Sequence, residues 1–569
     1  MSDWLPPWLR HYRRQWLAGD IGAGVLVTLL LVPQGLAYAL VAGLPPQVGL
    51  YASLLPLALY ALLGRSHAQS VGPMAVTSLL VAATLAKLGL ATPADHLLAA
   101  VWLALLSGAM LLLFGLLRLG FLADVLSEPV LAGFTAASAL LIVLSQLAPL
   151  AGYHGAGASL PAILASLWQQ ADRFSPQALL IGVPALLLLC WGRGALGRQL
   201  HRLGLRGMAL ALPARGMPML VVLGSMLAVG VLGWQGQLPQ VGRIPAGLPA
   251  LAWPALPAGG LSPLVLPAFF IALINYVQSL SVAQLLAIPR RETVEPDREL
   301  LALGACNLGA ALCGGLPVTG GLTRSVVNAE AGANSQLASL ITAVLIAALL
   351  AWGSGALAAL PLTALAATII AAVAPQVRLA PLWQAWRAER SDAAAFAVTF
   401  LLVLWLGVDS GIVAGVVISL AAWLMKSSRP HLAELGLLPG GSHFRNVQRH
   451  RCQTLPGVLI LRIDESLYFG NARHVRDALL ARLAAAGPVH TLLLVLSAVN
   501  RVDITGLAML QRLDDTLAER GVSLQLAEVK GPVWDVFGRA GLAARFAGRV
   551  HLSTYAAWQR LAPAPDFHI

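Results

Sequence analysis

Apolar runs of roughly 20 residues follow one another from Gly19 to about Lys426, each long enough to cross a ~30 Å hydrocarbon core. No other feature restricts the fold so much. In lipid every backbone amide and carbonyl must find its partner inside the protein, so runs of this length are read as helices. Composition agrees: 58% of the 569 residues are hydrophobic, 11% are charged, and the mean hydropathy is +0.76. Soluble domains carry about a quarter charged residues. Past Lys426 the runs shorten and alternate with charged helices of soluble type. The expected order is a cytoplasmic N-terminal segment (1–18), a membrane domain (19–426), a linker (427–455) and a soluble domain (456–562).

A net charge of +12 would raise nucleic acid as a partner of a soluble protein. Here its distribution excludes that. With the spans alternating in and out, one set of loops takes Arg65, Arg118, Arg193, Arg198, Arg202, Arg206, Arg215, Arg290, Arg291, Arg298, Arg378, Arg387 and Arg390. Arg10, Arg13, Arg14, Lys426 and Arg429 fall on the same side, and the opposite loops hold little beyond Lys87, Arg173 and Arg243. This is positive-inside asymmetry, which puts both termini in the cytoplasm and needs no polyanionic partner. The basic N-terminus leads into a full-length span with no cleavage site, unlike a signal peptide. The four cysteines are scattered and suggest neither a metal site nor a disulfide framework.

Fourteen segments are counted, starting near Gly19, Gly49, Gly72, Asp95, Ala123, Pro176, Met217, Ser262, Pro296, Thr323, Ser335, Gly355, Ser391 and Asp409; twelve is the alternative. Gln34-Gly-Leu-Ala-Tyr-Ala39 and Gln278-Ser-Leu-Ser-Val-Ala283 share a pattern, and their spacing also relates Pro73 to Pro317. That hints at two inverted halves.

Two spans are interrupted at these points. Gly72-Pro73 precedes an apolar run, with proline expected at the first helical position, where its missing N–H costs nothing. Around Pro317 the chain is again glycine-rich, and a helix is expected from about Thr323. Helix starts inside a membrane leave unpaired N–H groups and about half a positive charge each, which makes them anion sites. Thr77, Ser78, Thr319, Thr323 and Ser325 place hydroxyls nearby, and Arg324 marks a substrate path. The competing reading of Arg324 is a snorkelling side chain or a pair with Glu330. Gln34 and Gln278 either line a cavity, with Tyr38 closing it, or join helices. No acidic side chain is evident near these groups, so no coupling carboxylate is visible. In the tail, strands and helices alternate as in a small α/β domain with a largely parallel sheet. Thr505 stands at a helix start as an N-cap or a phosphate acceptor. No nucleotide-binding loop, cofactor motif or catalytic constellation is present, which argues against an enzyme.

The stretches "AGDIGAGVLVTLLLVPQGLAYALVAGLPPQVGLYASLLPLALYALLG", "SVGPMAV", "LSEPVLAGFT" and "GGLPVTGGLTRSVVNAEAGA" resemble the markers of SulP anion transporters. "LYFGNA" and "VDITGL" resemble the STAS domain that ends such proteins. The resemblance implies an all-α membrane domain of fourteen spans in two inverted sevens with core and gate domains. It also implies elevator-type alternating access, a homodimer in the inner membrane, and a cytoplasmic STAS domain with a possible protein partner. It places a small inorganic anion at Gly72, Pro73, Met74, Thr323, Arg324 and Ser325, with Gln34, Tyr38 and Gln278 lining the cavity. Thr505 matches a position phosphorylated in STAS regulators. Sulfate is the default substrate; bicarbonate, chloride or a dicarboxylate, by exchange or uncoupled flux, is the alternative. Many relatives have a carboxylate where this chain has Gln278, and an amide cannot titrate. A nucleobase permease fits Arg324 poorly, and a membrane-anchored sensor leaves the two interrupted spans unexplained.

Overall fold

The computed structural model describes residues 7–153, 155, 157–203, 215–257 and 259–562; Arg206 lies outside them. Two compact units emerge, Met1–Ser419 and Leu420–Ile569.

The principal helices of the first unit are α1 (Leu17–Val41), α2 (Leu55–Leu63), α3 (Ala75–Leu88), α4 (Pro93–Leu116), α5 (Glu128–Ser145), α6 (Pro176–Trp191) and α7 (Met217–Val231). They continue with α8 (Ser262–Ala287), α9 (Pro296–Leu312), α10 (Leu322–Glu330), α11 (Leu337–Ala348), α12 (Leu362–Val373) and α13 (Arg390–Leu406), and α14 (Val408–Ser428) begins in the first unit and ends in the second. Among the described residues, seven helical segments are long and apolar enough to cross a membrane, including Arg14–Val41, Pro93–Leu116 and Ser262–Arg290. Others, including Ala75–Leu88, are apolar but shorter.

Local chemistry fixes several starts. At α4, Thr92 stands just before Pro93 and forms a reciprocal capping box with Asp95, and Ser175 caps α6 ahead of Pro176. Packing then depends on small residues. A Cβ on Gly108 of α4 would lie 2.9 Å from the Gly304 carbonyl of α9, and one on Gly304 equally close to the Gly108 carbonyl. Only glycines let these two backbones approach so closely, which is how helices associate where lipid removes the hydrophobic drive.

The interrupted spans meet as a two-stranded crossing. Strand β1 (Val71–Gly72) pairs antiparallel with β2 (Thr319–Gly320), Val71 opposite Gly320 and Gly72 opposite Thr319. Helices α3 and α10 start just beyond the strands. One expectation needs correcting. Pro73 is not at the first helical position, because α3 starts at Ala75 with extended Met74 before it.

The second unit holds a six-stranded sheet in the order β4-β3-β5-β6-β7-β8. Its elements are β3 (Leu432–Leu437), β4 (Phe444–Asn446), β5 (Val458–Ile463), α15 (Ala472–Ala485), β6 (Thr491–Val495), α16 (Ile504–Glu519), β7 (Ser523–Ala527), α17 (Gly531–Arg539), β8 (Val550–His551) and α18 (Thr554–Leu561). Strands β5 to β8 are parallel, while β3 is antiparallel to both neighbours. The stretch 427–455 is therefore not only a linker: it supplies β3 and β4. Leu432-Ala-Glu-Leu-Gly-Leu437 has too little alternation to announce a strand, and it becomes one by pairing with β5.

Candidate functional site at the crossing of two interrupted helices

Neither α3 nor α10 has a side-chain cap, since Met74 and Gly321 precede them in extended conformation. The first amides of both helices thus have no partner within their own helix. Beside these ends lies Arg324, only 1% exposed. Its Nη1 donates to the Pro73 carbonyl at 2.8 Å, across 251 residues of chain. Its Nε and Nη2 have no partner among the described residues. The glycines explain how it fits. A Cβ on Gly321 would meet Nη2 at 2.8 Å and one on Gly72 at 3.2 Å. Arg324 does not pair with Glu330, which binds Arg215 instead.

Buried amides clamp the crossing. Asn307 donates from Nδ2 to the Val318 carbonyl at 3.0 Å and accepts from the Val318 N–H at 2.9 Å. The Thr77 hydroxyl donates to Asn275 Oδ1 and that of Thr319 to the Asn275 carbonyl, both at 2.7 Å. These two threonines are thus committed to structure. Ser325 Oγ accepts from the Ser70 amide at 2.9 Å. Ser78 Oγ is buried without a partner among the described residues.

A cavity of about 1250 Å³ opens beside this crossing. Gln34 and Thr323 reach it, together with Arg193, Arg198, Arg202, Arg215 and Arg378; the acids Glu128 and Glu330 are fewer. Arg193 donates to the Ala371 carbonyl. A cleft lined mainly by one sign of charge concentrates the opposite ion. Gly72, Pro73, Arg324 and Ser325 lie buried behind the cavity wall, and Met74 is half-buried. Tyr38 packs in the core at 4% exposed rather than closing the cavity. Gln278 is half-buried, and its Oε1 has no partner among the described residues. The residues brought together are therefore Gly72, Pro73, Thr323, Arg324 and Ser325, with Gln34 across the space.

One group escaped the sequence reading. Glu299, in the first turn of α9, is 2% exposed and accepts from Tyr60, Gln69 and Ser279. An acidic side chain therefore does lie close to the Gln278 region, contrary to expectation. It stands in "PRRETVEPDREL", a run of charges that reads as an exposed loop. A second buried carboxylate, Asp20 of α1, takes the amides of Asn334 and Ser335 and the Ser335 hydroxyl.

In the tail, the cap of α16 is Asp503, whose Oδ1 accepts from the Gly506 amide at 2.8 Å. Thr505 is not the cap. It stands exposed within the first turn, because Asp503, in extended conformation just before the helix, is the residue whose carboxylate faces the free amides.

A helical membrane bundle with a built polar crossing, an open charged cavity and an appended α/β domain defines a transporter, not an enzyme. The sulfate permease family model matches residues 17–399 and the STAS domain model matches 451–557. The chain belongs to the sulfate permease family and ends in a STAS domain. It is 34% identical over 528 residues to a probable sulfate transporter of Mycobacterium tuberculosis, covering 92% of this chain and 91% of that one. To Solute carrier family 26 member 6 of Homo sapiens it is 31% identical over 498 residues, covering 84% and 64%. The fold matches that of the murine Solute Carrier 26 family member A9 anion transporter in the inward-facing state, with TM-score 0.88 at 24% identity over 98% of this chain and 94% of that one. The transmembrane domain of a cyanobacterium bicarbonate transporter matches with TM-score 0.60 at 21% identity over 72% and 98%.

Proposed function

We propose that this protein carries a small inorganic anion, with sulfate as its first substrate, across the inner membrane by elevator-type alternating access. It works as a homodimer of fourteen-span subunits in two inverted sevens, with both termini and the STAS domain in the cytoplasm. The anion sits between the first amides of α3 and α10, at Gly72, Pro73, Met74, Thr323, Arg324 and Ser325. Gln34 faces it across the cavity, and the half-buried Gln278 lies nearby.

The observation that carries this reading is Arg324, a guanidinium out of water with two N–H-bearing nitrogens that have no partner among the described residues. A buried cation without a counter-charge costs several kcal/mol, and a bound anion offsets that cost. The arginine-lined cavity supplies attraction from the cytoplasmic side. The names of the relatives support sulfate. Gln278 leaves the usual coupling position without a titratable group, which favours exchange or uncoupled flux. Thr505, exposed at the start of α16, is the regulatory candidate.

The test is Arg324→Ala in proteoliposomes, with a panel of sulfate, chloride, bicarbonate and fumarate. Flux of the transported anion is expected to fall at least about 100-fold while the dimer still assembles. Unchanged flux would remove Arg324 from the site. Imposed proton or sodium gradients are expected to drive no accumulation.

A further inference from the structure

Glu299 has no task in the transport scheme above, yet it is wired to the crossing. Its Oε2 accepts from the Tyr60 hydroxyl at 2.9 Å. Its Oε1 accepts from Ser279 Oγ at 2.9 Å and from Gln69 Nε2 at 3.0 Å. All three donors are neutral. Two of them press on β2: a Cβ on Gly320 would lie 2.2 Å from Gln69 Nε2 and 2.8 Å from Ser279 Oγ. Gln69 also leads directly into β1. The next residue, Ser70, gives its amide to Ser325 Oγ and takes the Gly321 amide on its carbonyl at 3.0 Å. A short chain of contacts therefore runs from Glu299 through Gln69 and Ser279 to the residues flanking Arg324.

The charged neighbours are few. Helix α4 carries no titratable group between Leu97 and Leu116. From α2 comes Tyr60, and from α8 comes Tyr276, whose hydroxyl donates to the Gly120 carbonyl at 2.7 Å. The turn Gly120–Val125 carries Asp124. On α9 itself, Asp297 accepts the Gly120 amide, Arg298 pairs with Glu295 at 2.7 Å, and Cys306 donates to the Pro56 carbonyl. In the loop before β1, His67 pairs with Glu292 at 3.0 Å, and Arg65 has interactions of its own.

This network has a place for one proton. The Gln69 amide nitrogen only donates, so Oε1 stays an acceptor, whereas a hydroxyl turns readily from donor to acceptor. A proton on Oε2 therefore needs only the Tyr60 hydroxyl to rotate. We infer that Glu299 is a positioning residue of the anion site, and that protonation at Oε2, by turning Oε1 from a carboxylate oxygen into a weaker neutral acceptor, loosens its hold on Gln69 and Ser279 and so makes anion flux depend on pH. This differs from cation coupling, because the proton need not cross with the anion. The inference rests on the proposed anion site.

The experiment measures anion flux in proteoliposomes at matched internal and external pH, from about pH 5.5 to 8.5. Wild-type flux is expected to vary at least about threefold over that range. Glu299→Gln, whose amide imitates the protonated acid, is expected to hold flux near the wild-type acidic level at every pH and so flatten the profile. Tyr60→Phe removes a donor from the charged form and is expected to move the midpoint to higher pH. A Glu299→Gln protein with the wild-type profile scaled down at every pH shows a merely structural role and overturns the inference, as does a flat wild-type profile. If Glu299→Gln does not fold, a Tyr60→Phe profile with an unmoved midpoint overturns it. The two failures are distinguishable with sulfate or chloride, whose charge is constant over this range: flux unchanged in Arg324→Ala defeats the proposed site, whereas flux lost in Arg324→Ala but flat with pH in the wild type defeats only this inference.

Discussion

Two buried carboxylates in this chain are held in opposite ways. Glu299 in the membrane unit meets hydroxyls and an amide, all neutral. Asp514 in the tail, 5% exposed, meets two guanidiniums: Arg545 Nε at 2.7 Å on Oδ2 and Arg549 Nη1 at 2.7 Å on Oδ1. Burial alone would push the Asp514 carboxyl up, but the hydrogen bonds from Arg549 and Arg545 outweigh it and hold the group below the ordinary carboxylate value. Asp514 is thereby kept charged, as a permanent tie between α16 and the segment before β8. Charge-assisted bonds suit a fixed scaffold, while a neutral, rotatable set of donors suits a group whose protonation changes.

The largest expected effect that tests this contrast is from Glu299→Ala. It strips the acceptor from Tyr60, Gln69 and Ser279 together, and is expected to cost about 3–5 kcal/mol. Thermal melting of the purified protein reads it; a loss well under that of Asp514→Asn would end the contrast. Asp514→Asn leaves two arginines short of their counter-charge, but their side chains are 29% and 30% exposed and water relieves part of the cost. About 2–3 kcal/mol of tail stability is expected to go, read by hydrogen exchange in β6 and α16 of the full chain. Acid gives a smaller and graded effect. Because the folded Asp514 value is depressed, its contribution is fully present above the unfolded value near ~3.9 and is lost as pH falls through the folded one. Protection in the tail, with the base-catalysed pH dependence of exchange itself divided out, is thus expected to be flat from neutral pH down to about pH 5 and to fall below it. The smallest effect is that of Lys87→Ala, which removes the 3.2 Å pair with Asp409. With Lys87 61% exposed, under about 1 kcal/mol is expected. A larger loss would show that this pair behaves like a buried one.

Much of the architecture was legible residue by residue. The helix starts at Pro93, Pro176, Met217, Ser262 and Pro296 carry local signals, and so does the order of strands and helices in the tail from Val458 to Arg539. The late starts of α3 and α10 were announced by Gly72-Pro73 and the glycines around Pro317. What escaped were contacts between distant positions. Thr77 and Thr319 looked free for an anion until Asn275 claimed both. Asp503 and Thr505 competed for one helix start, and geometry chose the first.

Hydrophobic run length, charge asymmetry and the placement of proline and glycine determined the membrane character, the helix starts and the α/β tail, because each acts within a few residues of chain. Tertiary structure alone decided that Arg324 bonds the Pro73 carbonyl and not Glu330, and that Glu299 is buried. The partners of Glu299 are supplied from 20, 230 and 239 residues away. A hydrogen bond needs angstrom-scale placement of both its ends, and no pattern along one helix encodes where another helix will put them.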